Sequence, residues 1–260
     1  MTSTTDKPFK KFIALAGLPR SGSTLLSSIL SQNPKIHSEG TSSVAQFMWD
    51  LECSRLGGAH ELLIANNKEH IAPNIIKDIP SYYYQTCSRD IVVDKNRLWT
   101  LPLNLKMFKD YIDPTPKIIV LERPIIEIVN SFYCLLNGKT NDFSLDELLT
   151  EGSDPLMRAL RALNFAKQNN EGEYLFMEYK DLVNRPHAIL NKIYHHCQIE
   201  YFEHRFDNIV TPFPEDDVKA YGVPDFHYVR PTLGIRQLPI NLPDYIVKRC
   251  EELEDERLNG

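Results

Sequence analysis

Four short apolar runs punctuate the chain: Phe12-Ile13-Ala14-Leu15-Ala16-Gly17, Ile91-Val92-Val93-Asp94, Lys117-Ile118-Ile119-Val120-Leu121-Glu122 and, more weakly, Tyr174-Leu175-Phe176-Met177. None alternates apolar with polar positions, which is the signature of strands buried on both faces of a parallel sheet. Between them, apolar residues recur at helical spacing over residues 25–32, 42–56, 103–111, 124–136 and 155–167, and a charged helix is predicted over 243–258. The punctuation agrees: Asn33-Pro34 stops the first helix, Gly57-Gly58 the second, Pro124 suits a first helical position and Gly138 lies just past a helix end. Strands alternating with helices predict a three-layer α/β fold with a central, mainly parallel sheet flanked by helices. Residues 211–241, rich in Pro and aromatics and lacking any period, predict a long ordered loop of the kind that carries function or moves.

Composition narrows the class. In 260 residues, 42% hydrophobic and 25% charged, there is material for a sizeable core, which excludes a disordered, collagenous or disulfide-scaffold chain. The 29 Lys+Arg against 35 Asp+Glu leave a net charge of −6, which argues against a surface built to coat nucleic acid, although a local basic pocket escapes that sum. Cys53, Cys87, Cys134, Cys197 and Cys250 are odd in number and form no C-x-x-C pair, as expected of reduced thiols. The first eleven residues lack the apolar core of a signal peptide, and the longest apolar stretch, residues 13–19, falls short of the roughly 18 residues of a membrane span. The expectation is a soluble, cytoplasmic protein with neither a nucleic-acid nor a membrane partner.

The first strand runs straight into Gly17-Leu18-Pro19-Arg20-Ser21-Gly22-Ser23-Thr24, which has the G-x-x-x-x-G spacing of a phosphate-binding loop. Ser23 stands where the ATPase pattern requires Lys. Backbone N–H groups of a turn feeding a helix N-terminus still converge on an anion, helped by the helix dipole. Ser21, Ser23 and Thr24 add hydroxyls and Arg20 a full charge, so the loop suits a nucleotide 5′-phosphate that bears something other than a polyphosphate chain. A strand, this loop and a helix make the predicted fold one of the P-loop type.

This segment resembles the 5′-phosphosulfate-binding loop of the sulfotransferases that use 3′-phosphoadenosine-5′-phosphosulfate (PAPS). It is most similar to the form in protein-tyrosine sulfotransferases and soluble bacterial relatives, a likeness that Asn33-Pro34-Lys35-Ile36 continues. In that family a strand-end Arg and a Ser eight residues later grip the cofactor's 3′-phosphate, and Arg123 with Ser131 has that spacing. A guanidinium with a hydroxyl suits a dianionic phosphate; the spacing alone does not bring them together, since eight helical residues rise roughly 12 Å. Glu178-Tyr179-Lys180-Asp181-Leu182 resembles the family's strand-end Tyr segment, which implies Tyr179 in the cofactor site. The resemblance covers residues 12–199 of one sulfotransferase domain, 1–260, and implies a late loop closing over the cofactor, with Arg230, Gly234 or Arg236 as its contacts.

The resemblance implies transfer of a sulfuryl group by in-line displacement to a hydroxyl or amine, with a small molecule favoured over a protein tyrosine as acceptor. Such a step asks for a base at the acceptor and for cations at the departing phosphate; neither demand calls for a metal. Arg20 and Lys95 are the expected cations, Val93-Asp94-Lys95-Asn96 being similar to the family's strand-end lysine segment. Glu39 is the expected base, with His37 as the alternative; along a strand the two face one side.

Other features read ambiguously or blandly. Tyr82-Tyr83-Tyr84 and Trp99 line an acceptor pocket or simply pack; His195-His196-Cys197 diverges around a helix; Glu251-Glu252-Leu253-Glu254-Asp255-Glu256 reads as a solvated helix face. Two rival functions stay open on sequence alone. One is a kinase-like phosphotransferase with an altered loop; the other is a catalytically silent nucleotide-binding protein.

Overall fold

A computed structural model describes residues 8–138, 143–234 and 238–259. Its sheet has five strands: β1 (Lys11–Gly17), β2 (Ile36–His37), β3 (Ile91–Lys95), β4 (Ile118–Glu122) and β5 (Tyr174–Glu178), in the order β2-β3-β1-β4-β5. Every pairing is parallel, with Lys11 opposite Ile91 on one side of β1 and Ala14 opposite Ile118 on the other. The four runs read as strands form strands; β2, two residues long, is too short to announce itself by pattern.

Side-chain alternation along β1 sorts the core into two layers. Phe12, Ala14 and Ala16 face one cluster, with Val92, Ile118 and Val120. Ile13 and Leu15 face the other, with Val93, Ile119 and Leu121. The first layer is closed by α2 (Val44–Leu56), α4 (Ile71–Tyr83), α6 (Ile125–Leu136), α8 (Leu156–Gln168) and α12 (Asp244–Asn259), the second by α1 (Ser23–Leu30) and α10 (Pro186–His196). Shorter helices α3 (His60–Ala65), α5 (Pro102–Met107), α7 (Leu145–Leu148), α9 (Tyr179–Asn184) and α11 (Asp217–Tyr221) fill the connections. Sheet and two helical layers make the expected three-layer α/β fold.

Two helix boundaries differ from expectation for local reasons. Helix α1 begins at Ser23, two residues early, because Gly22 adopts a left-handed φ of 93° and turns the chain directly into the helix. The helix expected over 103–111 runs as α5 to Met107 and then widens into a π-turn over Phe108–Ile112. Residues 211–234 and 238–241 are irregular apart from α11. No described helix is long and apolar enough to cross a membrane.

The tyrosine run packs rather than lining a pocket. Tyr84 is buried and donates to Asp94 Oδ2 at 2.8 Å, and Trp99 donates to Asp94 Oδ1 at 2.6 Å, while Tyr82 is exposed. Glu254 departs from the solvated face expected of it: its Oε2 accepts from the backbone N–H of Ile125, at the first turn of α6.

Candidate active site

The strand order reverses at β1, with β3 on one side and β4 on the other, so the loops leaving the carboxyl ends of these parallel strands diverge and leave a crevice. A cavity of about 850 Å³ opens there, within the range of small-molecule sites. It takes Gly17 to Thr24 (Ser21 excepted) from the loop after β1, Lys95 to Arg97 from the end of β3, Arg123 after β4, Ser131 from α6 and Tyr179 after β5.

Backbone geometry builds the loop. Gly17 has φ 133°, and a Cβ there would lie 2.1 Å from the Leu121 carbonyl oxygen. A Cβ on Gly22 would lie 2.6 Å from the Tyr179 ring, so glycine lets β5's exit residue press against the loop. Arg20 adopts φ 58°. Gly22 caps α1 without a side chain and the first turn carries no acidic residue, which leaves the first-turn N–H groups directed at the cavity. Ser23 and Thr24 line the cavity, but Ser21 is a correction: it is fully buried and its hydroxyl donates inward to the Leu18 carbonyl at 2.6 Å, shaping the turn instead of facing a ligand.

The expected phosphate grips meet. Arg20 Nε donates to Ser131 Oγ at 3.3 Å, its guanidinium also reaches the Phe226 carbonyl, and it lies 5.1 Å from the centroid of the Phe226 ring. Arg123 bonds the backbone carbonyl of Arg20 at 3.0 Å and Glu127 at 2.8 Å, with its guanidinium 4.8 Å from the Tyr179 ring centroid. Thus Arg20, not Arg123, makes the hydrogen bond to Ser131. Burial, reinforced by the Arg123 charge, lowers the Arg20 pKa against the opposing pull of Asp217. Two guanidiniums in one crevice favour an anion between them.

Lys95 is buried, and its ammonium bonds Thr24 Oγ1 and Glu215 Oε2, each at 3.1 Å. Burial lowers its pKa, with Glu215 opposing. Glu215 also accepts from the Thr41 N–H at 2.8 Å and sits 3.3 Å from His227 Nδ1, which lies 2.7 Å from Asp217 Oδ1. Burial alone would raise the Glu215 carboxyl; Lys95, the Thr41 N–H and His227 outweigh it and hold it below its ordinary value. Sequence reasoning missed Glu215, Asp217 and His227. Their signal was the aperiodic sequence from residue 211 onward, which brings Glu215 to Lys95 and His227 between Glu215 and Asp217.

Glu39 lies apart from the cations. It lines a neighbouring cavity of about 290 Å³ with Ser38, Phe213 and Glu215, and the two cavities share Thr24, Asp225, His227, Tyr228 and Val229. His37 stands behind it, outside either lining, with Nε2 at 3.0 Å from Glu39 Oε2. From the late loop, Arg230 and Gly234 line the larger cavity, whereas Arg236 lies outside the described residues. Arg97 joins them as a further cation. The larger cavity fits a dianionic nucleotide: an uncapped helix start, five cationic side chains (Arg20, Lys95, Arg97, Arg123, Arg230) and apolar wall from Phe132 and Leu135.

No curated protein matches the chain in sequence at a significant level. Among solved structures it is similar in fold to the sulfotransferase domain of the Synechococcus PCC 7002 olefin synthase, at 20% identity and a TM-score of 0.55, over 95% of this chain and 96% of that one. The sulfotransferase domain from the curacin biosynthetic pathway gives 20% and 0.53, over 95% and 97%. Retinol dehydratase, solved with retinol and 3′-phosphoadenosine-5′-phosphate (PAP), gives 13% and 0.50, over 98% and 82%. The decisive match is in sequence: the model of the sulfotransferase family spans residues 13–203, from the first strand through the loop, Lys95, Arg123, Ser131 and Tyr179. With that span, and with those residues gathered at one crevice, the chain belongs to the sulfotransferase family.

Proposed function

We propose that this sulfotransferase takes its sulfuryl group from PAPS and passes it to a hydroxyl or amine of a small-molecule acceptor, with Glu39 as the general base. The observation that carries the reading is the meeting of the phosphate loop, Lys95 and the Arg123/Ser131 pair in a single cavity of about 850 Å³. When bound, PAPS supplies a sulfuryl group on its 5′-phosphate, whose in-line transfer forms the acceptor S–O or S–N bond, breaks the S–O bond to the phosphate and leaves PAP.

The chain's residues divide the remaining work. First-turn N–H groups of α1, with Ser23 and Thr24, hold the 5′ end, and Lys95 faces the oxygens that gain negative charge. Arg123 and Ser131 hold the 3′-phosphate, and Arg123 stacks on Tyr179; Arg20, expected from sequence as a cation at the departing phosphate, bonds Ser131 and is proposed here to join the 3′ grip. The segment 211–234 covers the site through Phe226 and His227, with Arg230 and Gly234 also lining the cavity.

Of Glu39 and Glu215, which line the smaller cavity together, Glu39 is the better base. Glu215 is ion-paired to the ammonium and held below its ordinary value, so it is a weak proton acceptor. Glu39 bonds His37, which orients it, and opens into the smaller cavity beside Thr24. That cavity's 290 Å³ supports a compact acceptor group, and the two biosynthetic-pathway domains named above agree with small-molecule chemistry.

The test is PAP release from PAPS across phenols, alcohols and amines. Wild type turns over at least one class, and Glu39→Gln loses about 10²–10⁴-fold in kcat while keeping its affinity for PAP. Full activity in Glu39→Gln would remove Glu39 from the reading.

A further inference from the structure

Three carboxylates from three elements converge on one buried guanidinium far along the chain. Arg257 of α12 is 3% exposed. Its Nη1 donates to Glu122 Oε2 at 2.7 Å and to Glu178 Oε1 at 2.8 Å; its Nη2 donates to Glu254 Oε1 at 2.6 Å. Glu122 and Glu178 are the last residues of β4 and β5 and stand opposite each other in the ladder. Like charges so placed repel. Arg257 relieves that repulsion, helped by Lys167 at 2.9 Å from Glu122.

The residues directly after these strand ends are Arg123 and Tyr179, the latter the first of α9. Anchoring Glu122 and Glu178, the last strand residues, fixes where the chain leaves the sheet, and so where Arg123 and Tyr179, one peptide further on, stack and line the larger cavity. The third carboxylate ties in the remaining partner: Glu254 Oε2 accepts from the Ile125 N–H at 2.9 Å, at the start of the helix that carries Ser131. Arg257 itself lines neither cavity. Among the described residues, Glu178 Oε2 is buried with no partner, so Arg257 is the cation that holds this carboxylate.

We propose that Arg257 is a positioning residue for the 3′-phosphate grip: it sets Arg123 through Glu122, Tyr179 through Glu178, and the Ser131 helix through Glu254. The proposal rests on the nucleotide reading given under Proposed function. Buried ion networks add little net stability compared with apolar packing of the same volume. The purpose of this one is geometric, because a single planar fork refers two strand ends and a helix start to one point.

The experiment measures equilibrium binding of PAP and of 5′-AMP, which lacks the 3′-phosphate, to the full chain and its variants. Wild type prefers PAP. In Arg257→Met that preference falls about tenfold, with the loss in PAP affinity and little change for 5′-AMP; Arg257→Lys retains part of it. Leu253→Ala, at a fully buried apolar residue of the same helix, lowers the melting temperature but keeps the preference. Should Arg257→Met fail to fold, Arg257→Lys and Glu178→Gln carry the same comparison. A folded Arg257 variant with wild-type preference, or an equal loss in Leu253→Ala, overturns the positioning role. A wild type without preference overturns the nucleotide reading and this proposal together, and is distinguished by appearing before any substitution is made.

Discussion

Arg20 and Ser131, 111 residues apart in sequence, meet at 3.3 Å across the mouth of the larger cavity. The contact joins the phosphate loop after β1 to the helix after β4, so the two ends of the expected anion site are held by one side chain. Arg123 completes the link by donating to the Arg20 carbonyl, which ties the loop backbone to the β4 exit.

Removing this grip weakens nucleotide binding selectively. Arg123→Ala is expected to lower PAP affinity by about 10- to 100-fold, the range of a lost charge-assisted contact. Ser131→Ala, a neutral hydroxyl, costs about 3- to 10-fold. Affinity for 5′-AMP changes little in either. Isothermal titration with both ligands checks this; an equal loss for both would mean that neither residue reads the 3′-phosphate.

Gly22 is constrained both by its positive φ and by the Tyr179 ring. Gly22→Ala adds a Cβ at φ 93° and 2.6 Å from the Tyr179 ring, so either the loop or the tyrosine moves. The expected result is a destabilisation of about 1–3 kcal/mol together with loss of PAP binding. Tyr179→Ala in the same chain relieves the contact and restores part of the stability, as thermal melts of the single and double variants will report.

The loop and its helix were legible because their signals are local: an apolar run, two glycines at fixed spacing and helical periodicity all fall within about twenty residues. Arg123 and Ser131 were named through the resemblance, because an eight-residue helical spacing does not by itself bring two side chains together; both line the larger cavity. Glu215, Asp217 and His227 were not legible, because they sit in a segment without periodicity and acquire meaning only when the chain returns over β3. Ser21 was misread because a hydroxyl in a phosphate loop looks like a ligand contact until its bond to Leu18 is seen. Glu254 was misread because nothing local distinguishes it from its solvated neighbours.

The Lys95–Glu215 pair gives the covering loop a pH dependence. Glu215 sits below its ordinary value of 4.5, so its stabilising effect is fully present above that pH and is lost as pH falls through the lower folded value. Wild type should therefore melt above Glu215→Gln at neutral pH, and the gap should close under acid conditions below 4.5. A gap that persists unchanged there would show that the charge of Glu215 does not hold the loop.

Lys95→Ala separates charge stabilisation from binding. It removes the buried ammonium between Thr24 and Glu215, so kcat is expected to fall by about 10²–10³-fold, as for loss of a group that stabilises developing charge. PAP affinity should fall far less. Steady-state kinetics with a responsive acceptor decide it, and a change confined to KM would place Lys95 outside the charge-bearing role.

The proposed nucleotide site accepts, in one crevice, an adenosine bearing phosphate at both its 3′ and 5′ positions. Calorimetric titration of the unmodified chain with PAP and, separately, with ATP decides whether it does. Clearly tighter binding of PAP is expected. Tighter binding of ATP would overturn the proposal and return the loop, despite Ser23, to polyphosphate chemistry.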